Sequence, residues 1–76
     1  TVAAAFSELE RHFSDAVPDR LDGLRLDWHD RNDGDSWLLV RASNTEPIVR
    51  VIAEAPDAAH AKRLCDGAAK VIAAVA

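Results

Sequence analysis

Arg41 and Arg50 bracket the ten-residue stretch Arg41-Ala42-Ser43-Asn44-Thr45-Glu46-Pro47-Ile48-Val49-Arg50, which also carries two hydroxyls and a carboxamide. Residues of these types at this spacing suit the capture of a small oxyanion. A phosphate presents several strong acceptor oxygens and about two negative charges, so its site needs cationic forks, hydroxyl donors and a backbone that turns N–H groups inward. Here Arg41 and Arg50 supply the forks, and Ser43 and Thr45 the hydroxyls. The N–H groups of Asn44, Thr45 and Glu46 can line a nest. Asn44 is the residue best suited to a positive φ, and Glu46, ahead of Pro47, is expected to be extended. From the residues alone, an ordinary hairpin loop explains the stretch equally well, with Ser, Asn and Thr satisfying turn backbone and both arginines solvated.

The flanking elements decide whether the two arginines meet. Between Gly23 and His29, Leu24, Leu26 and Trp28 alternate with Arg25, Asp27 and His29, the pattern of a strand with one buried face. The cluster Asp30-Arg31-Asn32-Asp33-Gly34-Asp35 is a turn, leading to an antiparallel partner from Ser36 to about Ala42. A third strand runs from Pro47 to Ala55, rich in Ile and Val. Period-two alternation places Trp37, Leu39 and Arg41 on one face of the second strand, and Ile48, Arg50 and Ile52 on one face of the third. Both guanidinium groups can then reach one oxyanion. Val2, Phe6, Leu9 and Phe13 predict an opening helix from Thr1 to about Ser14. Ala61, Leu64, Cys65, Ala68, Val71, Ile72 and Val75 predict a closing helix that starts at Pro56-Asp57. The segment from Asp15 to Asp22 offers at most a short edge strand. The fold class expected is α+β: an antiparallel sheet of three to four strands with two helices on one face, in two layers.

Composition narrows the function. Seventy-six residues make a single small domain, residues 1–76, which on folding buries only roughly 60% of its unfolded surface, so a deep enclosed active site is not expected. The net charge of −4 argues against nucleic acid and anionic membrane as partners and requires any anion site to be local. No apolar run is long enough to span a bilayer and no secretory leader is recognisable, so a cytoplasmic location is expected. Cys65 alone allows no internal disulfide. His12, His29, His60 and Cys65 lack ligand-like spacing, so no metal site is expected. Asp30, Asn32, Gly34 and Asp35 lack the sixth-position glycine and closing glutamate of a calcium loop. Asp30 and Asp33 fit solvated turn carboxylates better than a catalytic pair. No nucleophile elbow and no glycine-rich nucleotide loop occurs, so no catalytic residue is assigned.

The cradle resembles the phosphate-binding loop of the α-D-phosphohexomutases, the phosphomannomutase/phosphoglucomutase family, whose last domain carries Arg-x-Ser-(Gly or Asn)-Thr-Glu-Pro-x-x-Arg. Arg41, Ser43, Thr45, Glu46, Pro47 and Arg50 match in order, and Asn44 is an accepted variant. Asp22-Gly23, the run Trp37 to Val40, and Glu54-Ala55 resemble the same domain, so the resemblance covers nearly the whole chain and is weakest in the first helix. It implies a TATA-box-binding-protein-like fold with a four-stranded sheet, the extra strand coming from Val17 to Asp22. It also implies a C-terminal domain that holds the non-reacting phosphate of a hexose phosphate while 1- and 6-phosphates interconvert through a bisphosphorylated intermediate. Arg41, Ser43, Asn44, Thr45 and Arg50 would carry that role, with Glu46 a further loop or sugar contact. The phosphoserine and magnesium of the family would lie on another domain, and this chain would not be catalytic alone. Asn44 and Ala42 look more like the phosphomannomutase/phosphoglucomutase branch than the phosphoglucosamine mutase branch.

The absence of an initiator Met at Thr1 fits a piece of a longer protein. The competing expectation is a free-standing α+β ligand-binding or regulatory module. Trp37, Leu39, Ile48 and Ile52 fall on the face without helices, where an apolar patch would dock another domain of the parent enzyme.

Overall fold

The computed structural model describes residues 2–30, 34–42 and 49–75. Helix α1 (Val2–His12) is followed by strands β1 (Val17–Asp19), β2 (Leu24–Asp30), β3 (Gly34–Ala42) and β4 (Val49–Glu54), and then by helix α2 (Ala58–Val75). The strands form one antiparallel sheet in the order β1-β2-β3-β4. The architecture is therefore α+β, and the segment of ambiguous reading supplies the fourth strand. β1 is a three-residue edge whose Pro18 pairs opposite Leu26. A missing N–H costs nothing on the solvent side of an edge.

Register sorts the sheet into two faces. Leu24 pairs with Val40 and Leu26 with Leu38, while Val51 and Ala53 of β4 lie opposite Val40 and Leu38. These residues form one cluster with Leu9 of α1 and Leu64 and Ala68 of α2, with Phe6, Phe13, Trp28 and Val71 packed around it. Both helices thus cover the same face. Leu9, Leu24, Leu26, Leu38 and Val40 are fully buried, and each such side chain contributes about 1.5–3 kcal/mol of transfer free energy. The Phe13 ring meets Trp28 edge to face, with centroids 5.5 Å apart, and closes the end of the core remote from the arginines.

Element ends have local causes. Asp57 caps α2: its Oδ1 accepts the Ala59 N–H at 2.8 Å and its carbonyl accepts the Ala61 N–H at 3.1 Å. Arg11 and His12 are the basic residues in the last turn of α1, where a positive side chain offsets the negative end of the helix dipole. Arg20 ties the chain after β1 back to α1, with its guanidinium on Glu10 and over the Phe6 ring. Gly34 opens β3 opposite Asp30 with φ 85°, at the far end of the expected turn. Residues 31–33 of that turn lie outside the described residues.

Candidate anion site at the mouth of the β3–β4 hairpin

Arg41 and Arg50 are direct cross-strand partners, one pair in from Ala42 and Val49. Directly opposed residues project to the same side of a sheet with Cβ atoms roughly 4.5–5.5 Å apart. That side is the one without helices, since Arg41 alternates with the buried Val40 and follows Trp37 and Leu39. Both arginines are exposed. The sequence expectation that they share a face is met. Ser43, Asn44, Thr45, Glu46, Pro47 and Ile48, which complete the cradle motif, lie outside the described residues.

Like charges directly opposed destabilise a strand pair. The structure offers Arg41 and Arg50 little relief: Arg41 Nη2 lies 3.4 Å from Asp22 Oδ1, and Arg50 makes no ion pair with another described residue. Counting the described residues, two cations and one paired carboxylate leave this corner net positive in a chain of net charge −4. A dianion between the two guanidinium groups would convert the repulsion into two charge-assisted contacts.

The approach of Asp22 is built by the turn before β2. Asp19 Oδ1 accepts the Leu21 N–H at 2.8 Å, closing an Asx turn. Gly23 then takes φ 81°, and a Cβ there would fall 2.6 Å from the Val40 carbonyl oxygen and 2.9 Å from Arg41 Cγ. Only glycine lets the chain lie against the Arg41 stem in this way. Beside it is a shallow depression of about 230 Å³, lined by Asp19, Leu21, Asp22, Arg25 and Leu39.

Further along the same face, Arg25 lies 4.9 Å over the Trp37 ring, and its Nε donates to Asp27 Oδ2 at 3.0 Å. The Arg25 pKa is raised, chiefly by the hydrogen bond to Asp27, with added attraction from the charges of Asp27, Asp19 and Glu54. Trp37 and Leu39 are half-buried and Ile52 is 47% exposed, so the described part of the expected apolar strip lies on this face, partly roofed by Arg25, while Ile48 lies outside the described residues. Sequence reasoning did not pick out Asp22 or Arg25 for a role at this face. The available signals were the Asp-Gly step before β2 and the shared face of Arg25 and Asp27. Among the described residues no three His, Cys, Asp or Glu side chains converge in a way that could hold a metal ion, and no helix is long and apolar enough to cross a membrane.

A two-layer α+β domain with a cationic pair at a hairpin mouth is the class that fold and site define. The family model described as phosphoglucomutase/phosphomannomutase, C-terminal domain, matches residues 2–71. The chain belongs to this family and corresponds to its C-terminal domain. It is 46% identical over 57 residues to a phosphopentomutase of Thermococcus kodakarensis, covering 72% of this chain and 12% of that protein. It is 38% identical over 52 residues to a probable phosphoglucosamine mutase of Methanobrevibacter smithii, covering 68% and 11%. A phosphoglucosamine mutase of Symbiobacterium thermophilum is 51% identical over 39 residues, covering 51% and 9%. The chain therefore spans about a tenth of the length of the curated relatives it matches.

Proposed function

We propose that residues 1–76 are the substrate-phosphate-binding domain of a larger sugar-phosphate mutase that interconverts hexose 1-phosphate and hexose 6-phosphate. The observation that carries this reading is the direct opposition of Arg41 and Arg50 on the helix-free face, at the ends of the strands that bracket residues 43–48. The two guanidinium groups grip the non-reacting phosphate. Ser43 and Thr45 donate hydroxyl hydrogen bonds, the backbone at Asn44 to Glu46 supplies N–H donors, and Glu46 is available to the sugar. Holding that phosphate orients the sugar so that its other end meets the phosphoryl-transfer machinery, the phosphoserine and magnesium of another domain. This chain positions and performs no bond-making step.

A positioning domain of this kind must accept either end of the substrate, so it recognises phosphate and leaves sugar choice to other domains. Support comes from the relatives: proteins named for a pentose and for glucosamine resemble this chain to a similar degree. On this reading the parent works in the cytoplasm on hexose phosphates, with neither nucleic acid nor membrane as a partner. The test is alanine replacement of Arg41 and of Arg50 in the full-length enzyme. Each should lose a charge-assisted contact of about 1.5–3 kcal/mol, a fall in kcat/KM of about 10- to 150-fold. Unchanged kcat/KM in both variants would sink the assignment.

A further inference from the structure

The cradle motif does not include Asp22, yet Asp22 is the only acidic side chain among the described residues that makes an ion pair with either arginine of the site. We propose that Asp22 is an internal counter-anion for the phosphate site: it holds Arg41 while the site is empty, and the incoming phosphate takes Arg41 from it. This rests on the phosphate reading of Arg41 and Arg50.

Three features of the structure support the assignment. The carboxylate is placed by construction, because the Asx turn at Asp19 and the positive φ of Gly23 press the preceding turn onto the Arg41 stem, with room for no Cβ. The contact is exchangeable, since at 3.4 Å it is longer than a good charge-assisted hydrogen bond and its side chains are 54% and 77% exposed. The arrangement is also asymmetric. Arg50 makes no ion pair with a described residue, so phosphate can engage it first and then compete for Arg41. A phosphate brings about two charges and several acceptor oxygens against the single charge of Asp22, so it wins the competition. The carboxylate nevertheless keeps the grip looser than two unopposed arginines would make it. A site that must release one end of a substrate and accept the other benefits from that looseness.

The experiment is a binding titration of the full-length enzyme with inorganic phosphate, alongside steady-state kinetics, for wild type, Asp22→Asn, Arg41→Ala and the double variant. Asp22→Asn should bind phosphate up to about fivefold more tightly, the span of an exposed ion pair, and should lower KM by a similar factor without raising kcat. In the Arg41→Ala background the same substitution should change nothing, because the counter-anion acts through Arg41. Equal or weaker phosphate binding by Asp22→Asn would overturn the proposal while Arg41→Ala still weakens binding. So would a gain that survives in the double variant, since it would reveal a general field effect. If Arg41→Ala itself binds phosphate as wild type does, the phosphate reading falls and takes this inference with it.

Discussion

Two arginine settings share the helix-free face of this sheet, and they are wired in opposite ways. Arg25 sits directly opposite Asp19 of β1, has Asp27 on its own strand, and lies over Trp37. Its charge is matched within the domain, and the hydrogen bond to Asp27 leads the interactions that raise its pKa. Arg41 and Arg50, by contrast, face each other across β3 and β4, and among the described residues the loosely held Asp22 is the one carboxylate paired with either. A guanidinium already engaged by a carboxylate and stacked on a ring is structural. A pair of guanidinium groups held together against their own repulsion is poised for an anion from outside. The same residue type on one surface thus divides into scaffold and site according to which partner the register places opposite.

The sharpest way to break this comparison is to remove both members of the poised pair. Replacing Arg41 and Arg50 together by alanine should abolish measurable phosphate binding by the full-length enzyme and lower kcat/KM by more than about 100-fold, since each contact is worth about 1.5–3 kcal/mol. Thermal stability should not fall, because the lost cross-strand pair is one of like charge. A fall in the melting midpoint with intact kinetics would reverse the roles assigned to the two regions.

Next in size is Gly23→Ala. The positive φ costs a residue with a Cβ about 1–2 kcal/mol, and the added methyl meets the Val40 carbonyl at 2.6 Å and Arg41 Cγ at 2.9 Å. The backbone of β3 cannot yield as a flexible side chain would. The variant should lose about 1–3 kcal/mol in a denaturant titration and also raise KM, because the strain is relieved by moving Arg41. Loss of stability with no change in KM would show that Gly23 supports the fold alone. Asp57→Ala is a control on a remote element. Losing the α2 cap should cost about 1 kcal/mol in the same titration and leave KM untouched.

Much of this division is legible in the sequence, and the reason is periodicity. Leu24, Leu26 and Trp28 against Arg25, Asp27 and His29 define β2 and its two faces, and the same alternation places Arg41 and Arg50 together. The helices follow from three-and-four spacing, with Asp57 as a cap. β1 was hard to read because three residues, one of them Pro18, show too little alternation to declare a strand. The contacts of Asp22 with Arg41 and of Arg25 with Trp37 were not legible, since each joins residues more than ten positions apart and depends on the register of β2 against β3. Alternation says which face a side chain takes, and only register says what it meets there.

The smallest effect, and the finest test of the comparison, is Arg25→Lys. Lysine keeps the charge but loses the planar fork that engages Asp27 and stacks on Trp37. The Trp37 indole resonance should shift while that of Trp28, packed edge to face on Phe13, stays in place. The raised pKa of Arg25 belongs to a base, so its charge persists across the ordinary pH range and is lost only in strong alkali, while the contact also requires Asp27 to be ionised. The guanidinium contact in the wild type should therefore be flat between about pH 5 and 9. Because the charge of Arg25 is already answered by Asp27 and Asp19, KM for sugar phosphate should not change. A rise in KM approaching that of Arg41→Ala would place Arg25 inside the anion site, and the contrast between a matched arginine and a poised pair would no longer describe this face.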